Sequence, residues 1–445
     1  MTEPDEVLGT RGRHARRKGD ATFRSLRVPN YRRFFTGMAV SNVGTWMQRV
    51  AQDWLVLQLS GGDAIALGIT TALQFAPVVL LSPAGGLLAD RYSKRGLLFA
   101  TNAFLGLVAL VLGLLVLSDV AHVWHVYLLA SALGVGAALD APTRNAFVVE
   151  MVGRDDLPNA VGLNSASFNG ARIVGPAVAG LLIEAFGGDT GWVFLLNAAS
   201  FVAPLIALQR MDTSLLLPAD PAPKKKGQVR EGVRYVRGRP DLVAVLGVVF
   251  FAGMFGMNFQ ITNALMATQE FHKGAGEYGL LGSSFALGSL AGSLFAARRT
   301  QVRIRLVIGS AIAFGLWEVV VGMMPSYGWY ALALPLAGVA ALTTMTAANS
   351  MLQLSVAPAM RGRVISLYIM VLFGGTPVGA PVVGWVAQQY GPRWSLIVGG
   401  AVTAAAAAVA GLLLARRAKL TVRARVFPRP RVSLEYPAAV TEPVA

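Results

Sequence analysis

The sequence predicts an all-α integral membrane protein of twelve transmembrane helices, arranged as two six-helix halves related by a parallel pseudo-repeat. Three observations predict it. The 445 residues are 54% hydrophobic and only 14% charged, with a mean hydropathy of +0.55, far too apolar for a soluble protein of this size. Apolar runs of about 20 residues, enough to cross a hydrocarbon core of about 30 Å at 1.5 Å per residue, recur along nearly the whole length. A polar, proline- and cation-rich stretch separates the first six runs from the last six.

The expected spans, numbered 1 to 12, are 34–58, 65–88, 96–118, 122–145, 159–183, 191–210, 241–268, 277–297, 304–324, 328–352, 362–388 and 392–415. The first run follows Arg32 and Arg33, is too long for a signal peptide and lacks a small-residue cleavage site, so it reads as span 1. The division is then a basic N-terminal segment (1–33), an N-terminal half (34–210), a linker (211–240), a C-terminal half (241–415) and a tail (416–445) expected to be disordered.

Lys and Arg number 39 against 23 Asp and Glu. In a soluble chain that excess would suggest nucleic acid, but here membrane orientation explains it better. With the N-terminus in the cytoplasm, every cation falls on or beside the cytoplasmic face except Lys273 and Arg393, outside, and Arg49 and Arg172, within spans. The positive-inside rule is thus met with both termini cytoplasmic. The linker carries Pro218, Pro221, Pro223, Lys224 to Lys226, Arg230, Arg234, Arg237 and Arg239. Its part from Val229 to Arg239 reads equally as a basic amphipathic helix on anionic lipid or as a solvated loop.

The most concentrated charge lies between spans 2 and 3, in Gly86-Leu87-Leu88-Ala89-Asp90-Arg91-Tyr92-Ser93-Lys94-Arg95. Its counterpart after span 8 aligns Gly86 and Leu88 with Gly292 and Leu294, and Asp90 with Ala296. The second copy keeps cations at Arg298, Arg299, Arg303 and Arg305 and has lost its acid. Pro176 of span 5 similarly matches Pro381 of span 11. Two six-span halves joined by a long loop are the arrangement expected of a transporter rocking around a central site.

Over residues 23–416 the chain resembles the major facilitator superfamily, and within it the drug:proton antiporter-3 group of siderophore and macrolide exporters. The turn resembles the superfamily loop signature G-x-L-A-D-R-x-G-R-[KR], with Ser93 for the inner glycine and Lys94 for the arginine. Ala171 to Gly180 is similar to the antiporter signature G-x-x-x-G-P-x-x-G-G, departing at Ala171 and Ala179. Asp140 to Asn145 resembles the exporter group's own sequence at the end of span 4. The resemblance implies a latch in which Asp90, with Gly86, Arg91, Lys94, Arg95 and Arg144, closes the cytoplasmic side against the start of span 11, where Arg361 and Arg363 lie. It also implies a helix bend at Gly175, Pro176 and Gly180 that closes the antiporter pathway. The alternative is that these charges are topogenic and the glycines serve helix packing.

Residue spacing adds candidates. Asn42, Thr45, Arg49 and Asp53 in span 1 form one polar stripe at 100° per residue, and Ser165, Asn169, Arg172, Pro176 and Gly180 form another on span 5; Asn42, Thr45, Arg49, Asn169 and Arg172, with Trp317 of span 9, are expected to line the substrate pathway. A charge at bilayer centre costs about 3 kcal/mol, so Arg49 is expected to face a cavity rather than lipid. Arg49 and Asp53 read either as substrate anchor and proton-coupling acid or as a mutually neutralised structural pair. Glu318 in span 9, beside Trp317, is the acid well inside the C-terminal half, readable as a second proton carrier or as a helix-packing acid. Met254, Met257 and Met266 in span 7 read either as an adaptable cavity face or, in preference, as a lipid-facing core face.

Other chemistry finds no footing. There are no cysteines, the four histidines lack metal spacing, and no G-x-x-x-x-G-K-[ST] phosphate cradle occurs. The sequence therefore predicts no cofactor, no metal, no nucleic-acid partner and no enzyme. It predicts a monomeric, gradient-driven carrier of a small molecule in a bacterial plasma or inner membrane. Proton-coupled efflux leads; import or facilitated diffusion is the alternative, and a non-transporting sensor or scaffold the remote one.

Overall fold

A computed structural model describes residues 22–217, 228–297, 302–417, 421–425 and 431–435. Arg11 to Lys18, Lys224 to Lys226, Arg298 and Arg299 lie outside the described residues, as does the side chain of Asp90. Among the described residues eleven helices are long and apolar enough to span a bilayer: Ala64–Ser82, Lys94–Leu117, Val123–Gly153, Asp155–Ala185, Gly191–Gln209, Pro240–Glu270, Ala275–Ala297, Ile304–Gly322, Tyr327–Ser355, Met360–Tyr390 and Pro392–Arg416. They match expected spans 2 to 12. Span 1 is a 31-residue helix, Pro29–Leu59, whose Asn42, Gln48, Arg49, Gln52 and Asp53 lower its hydropathy although its length suffices. Its position packed between spans 5 and 6 is consistent with a twelfth crossing.

Local chemistry sets the breaks. Asp63 caps span 2, its carboxylate accepting from the amides of Ile65 at 2.8 Å and Ala66 at 3.3 Å. Ser93 caps span 3 the same way, accepting from Gly96. Spans 4 and 5 are one continuous helical run broken at Gly153, whose φ of 71° is a left-handed value that glycine adopts without a Cβ penalty. Span 7 contains two π turns, Ala252–Gly256 and Met266–Glu270, and span 11 divides into Pro358–Gly374 and Thr376–Tyr390 where Pro377 supplies no amide donor. Beyond span 12 a two-stranded antiparallel ribbon pairs Thr421–Arg425 with Arg431–Glu435.

Within each half the spans pack through small residues: Gly134 of span 4 on the Gln74 backbone of span 2, Gly338 of span 10 on span 8, Gly315 of span 9 on span 12. Two seams join the halves. Span 2 meets span 11 and span 5 meets span 8, equivalent pairs under the repeat. The approach is backbone to backbone: a Cβ on Gly68 would lie 2.9 Å from Pro381 Cα. Hydrogen bonds across the seams run from Gln269 Nε2 to the Gly62 carbonyl at 2.6 Å and from the Ala64 amide to Gln388 Oε1 at 2.9 Å. These lie at the end of the bundle opposite the Asp90 to Arg95 turn. The halves are therefore closed at that opposite end, with the central cavity on the turn side of the seams.

The linker differs from both expectations for it. Gln228–Arg237 is a helix, but Val236 is buried against Leu242, Val364 and Leu367, with Val233 packed beside it. Glu231 pairs with Arg363 of span 11 at 2.7 Å. Its apolar face is thus turned to the protein rather than to lipid. The methionines of span 7 also depart from a lipid-facing role. Met266 is fully buried, Met254 packs on Gly375 and Gly379 of span 11, and Met257 lines the cavity.

Candidate functional site

The central cavity, roughly 630 Å³, lies between the halves. Trp46, Arg49, Phe75, Phe168 and Arg172 line it from the N-terminal half; Gln260, Tyr278, Phe285, Asn349 and Tyr368 line it from the other. No carboxylate stands among its described lining residues. Two cations do. The Arg49 guanidinium lies 4.7 Å from the Trp46 ring centroid and 5.9 Å from Phe75. Arg172 lies 5.9 Å from the same Trp46 ring and 5.8 Å from Phe285, and its Nη2 donates to Ser289 Oγ of span 8 at 3.0 Å. Aromatic faces hold both charges by cation–π attraction without neutralising them.

Asp53 sits one layer behind this wall, only 1% exposed. Its Oδ2 accepts from Gln260 Nε2 and from the Tyr278 hydroxyl, each at 2.7 Å. Asp53 belongs to span 1 and its donors to spans 7 and 8, so the carboxyl ties one half to the other. Both donors also line the cavity. Arg49 and Asp53 are therefore not a closed pair: the arginine faces the cavity while the acid crosses to the other half.

The remaining predicted residues divide. Asn42 donates to Ser167 Oγ of span 5 at 3.4 Å, Thr45 to its own Ser41 carbonyl at 2.9 Å, and Asn169 to the Ser165 carbonyl at 2.8 Å. None of the three lines the cavity. Trp317 donates its indole N–H to the Ala333 carbonyl at 3.0 Å, joining spans 9 and 10 away from it. Glu318 is 1% exposed and packs against Gly256 of span 7 and Gly399 and Gly400 of span 12, inside the C-terminal half. Its Oε2 has no hydrogen-bond partner among the described residues.

Gly175, Pro176 and Gly180 lie at packing contacts. Gly175 meets Trp46 of span 1, and Gly180 meets the Ala275 backbone of span 8. Pro176 lines the cavity and touches Gly279 and Gly282. The helix keeps helical backbone angles through Pro176; the one break in this run is Gly153. Ser283 of span 8 donates to the Ile173 carbonyl at 2.5 Å, next to the Arg172 carbonyl whose intrahelical donor Pro176 lacks.

At the signature turn the cations are engaged within the N-terminal half. Lys94 pairs with Glu150 at 2.6 Å, and Arg95 donates to the Leu208 and Gln209 carbonyls at 2.7 and 3.1 Å. Arg144 Nε lies 3.6 Å from Asp140 one turn back, and Asp140 accepts from Asn102 at 3.1 Å. Arg91 is the last helical residue of span 2, and Gly86, before it, has open space where a Cβ would stand.

Trp46, Gln260, Tyr278 and Phe285 were not singled out from the sequence. Gln260 and Tyr278 are isolated polar groups inside apolar spans, a signal that could have marked them.

The sequence profile of the transmembrane secretion effector family matches residues 20–439. The chain belongs to this family of the major facilitator superfamily. It is similar to the enterobactin exporter EntS of Shigella boydii, at 25% identity over 84% of this chain and 88% of that one. It is similar over shorter stretches to the MFS-type transporter YfiS of Bacillus subtilis, at 28% identity over 46% of this chain and 49% of YfiS. A staphyloferrin A transporter of Staphylococcus aureus is 30% identical over 39% of this chain and 44% of its own length. Among solved structures, an inward-facing, unoccupied bacterial homolog of the human lysosomal transporter Spinster superposes with a TM-score of 0.69 at 15% identity, covering 87% of this chain and 96% of that one. A D-xylose–proton symporter gives 0.65 at 13% identity over 87% and 97%. At such identities these likenesses establish the fold. The protein is a multi-pass membrane transporter of the superfamily, carrying a small-molecule substrate.

Proposed function

We propose that this transporter is a proton-coupled exporter of an anionic, ring-bearing, siderophore-like small molecule, acting in a bacterial inner membrane with both termini in the cytoplasm. The observation that carries the reading is the pair of guanidinium groups, Arg49 and Arg172, flanking one indole ring in a cavity whose described lining has no carboxylate. Two like charges on one aromatic wall repel each other, and an anion between them relieves that repulsion while the rings of Trp46, Phe75 and Phe285 stack on its flat faces. The relatives named as an enterobactin exporter and a staphyloferrin A transporter support the siderophore-like class of cargo.

Asp53 is the coupling group in this reading, and Glu318, enclosed within one half, is not. An ionised Asp53 accepts from both Gln260 and Tyr278 and so holds the outer end shut. Cargo that engages Gln260 and Tyr278 draws these donors off Asp53 and lets the halves separate there; the freed carboxyl then takes a proton from the outside and carries it inward on the return. Because both donors also face the cavity, cargo and proton act on the same two side chains. Asp90 and its neighbouring cations form the complementary latch on the cytoplasmic side.

Flux of a catecholate siderophore into everted membrane vesicles tests the proposal. Accumulation that collapses on adding a protonophore is expected. Uptake confined to right-side-out vesicles would make the protein an importer; flux indifferent to the protonophore, a facilitator; no flux of any anionic or macrolide cargo would leave a sensor or scaffold.

A further inference from the structure

We propose that the outer groove between spans 7 and 12 is a binding site for an anionic diacyl phospholipid, separate from the transport cavity. The groove, roughly 760 Å³, is lined on span 7 by Val243, Ala244, Gly247 and Phe251, and on span 12 by residues from Val402 to Leu414. On span 12 the small side chains Ala405, Ala406 and Ala410 form its floor, while Val243, Val409 and Leu413, each about half exposed, form its walls. Val402 to Leu414 covers about 18 Å at 1.5 Å per residue, close to the depth of one leaflet of a core about 30 Å thick.

One charged group lines this apolar slot, and it stands at its signature-turn end. Arg237 is exposed and has no hydrogen-bond or ion-pair partner among the described residues. Its neighbour Arg239 is already committed to Asp241 at 2.7 Å. The Arg237 backbone is held in place because its neighbour Val236 is buried against Leu242, Val364 and Leu367. An apolar slot one leaflet deep with a fixed cation at the headgroup level matches an acyl chain and an anionic phosphate on one molecule. In a bilayer the solvent beside these spans is lipid, so the chain enters without crossing water.

The test is native mass spectrometry of the full chain equilibrated with equal amounts of phosphatidylglycerol and phosphatidylcholine. The wild type is expected to retain phosphatidylglycerol about fivefold over phosphatidylcholine, the worth of about one cation near a headgroup. Arg237→Gln should bring that ratio to near one with total bound lipid unchanged, and Arg230→Gln, elsewhere on the linker helix, should leave it intact. Gly247→Leu with Ala406→Leu should remove the retained lipid altogether. Should the filled variant fail to fold, the Arg237→Gln ratio alone decides. An unchanged ratio in Arg237→Gln overturns the proposal. So does loss of discrimination in millimolar inorganic phosphate, which would mark a free-anion site, or a dimer that disappears on filling the groove, which would mark an interface between copies.

Discussion

Asp53 of span 1 and Tyr278 of span 8 share a hydrogen bond of 2.7 Å across the boundary between the two halves. The bond sits behind the wall of the central cavity, and Gln260 completes the arrangement from span 7. In the proposed cycle a carboxyl placed there answers to both the proton and the relative position of the halves.

Asp53→Asn should therefore abolish gradient-driven accumulation while leaving cargo binding and downhill flux measurable. Tyr278→Phe removes one donor and keeps the ring, so it should slow the coupled rate about tenfold, the worth of a hydrogen bond to a charged group. Gradient-driven transport at the wild-type rate in Asp53→Asn would remove the residue from the coupling step. Glu318→Gln, inside the C-terminal half, should keep coupling.

Arg49→Gln and Arg172→Gln should each weaken binding of an anionic aromatic cargo by about ten- to a hundredfold, from the 1.5 to 3 kcal/mol of a charged hydrogen bond. Trp46→Ala should weaken both sites at once, since both guanidinium groups lie on its ring. Fluorescence titration in detergent would measure this. Unaltered affinity in both arginine variants would place the cargo elsewhere.

Gly68→Leu brings a side chain where Pro381 Cα leaves no space, so spans 2 and 11 cannot close. The population should shift toward the state open at the end opposite the signature turn. The chain has no cysteines, so a single cysteine introduced at buried Thr71 reports this through labelling by an impermeant maleimide. Labelling should rise in Gly68→Leu; equal labelling with and without the substitution would argue that the seam closes despite the leucine.

The Glu231–Arg363 pair is partly exposed, Glu231 by 55% at its side chain, so a double-mutant cycle on thermal stability should give a coupling below about 1 kcal/mol. A larger coupling would mean that the linker helix is held by this contact rather than by Val236.

Asp90→Asn should insert normally and cycle poorly, because the second copy of the turn has Ala296 in the matching position and cannot substitute. Transport at the wild-type rate would take the latch out of the mechanism.

The sequence by itself determined the spans, the division into halves and the identity of Arg49, Asp53, Arg172 and Pro176 as unusual. Hydrocarbon imposes a length and an apolarity on every crossing helix, and a charge inside one is costly enough to be conspicuous wherever it occurs. Helical spacing placed Asn42, Thr45, Arg49 and Asp53 on one stripe, but a stripe has no depth and no partner. Only the tertiary structure decided that Arg49 faces the cavity, that Asp53 crosses to Tyr278 and Gln260, that Trp46 is shared by two arginines, and that Glu318 and Trp317 are enclosed within one half. Those outcomes depend on how spans 1, 5, 7 and 8 approach one another across the seams. That approach is set by long-range packing of glycines and prolines on backbones far apart in the chain, which no local pattern encodes.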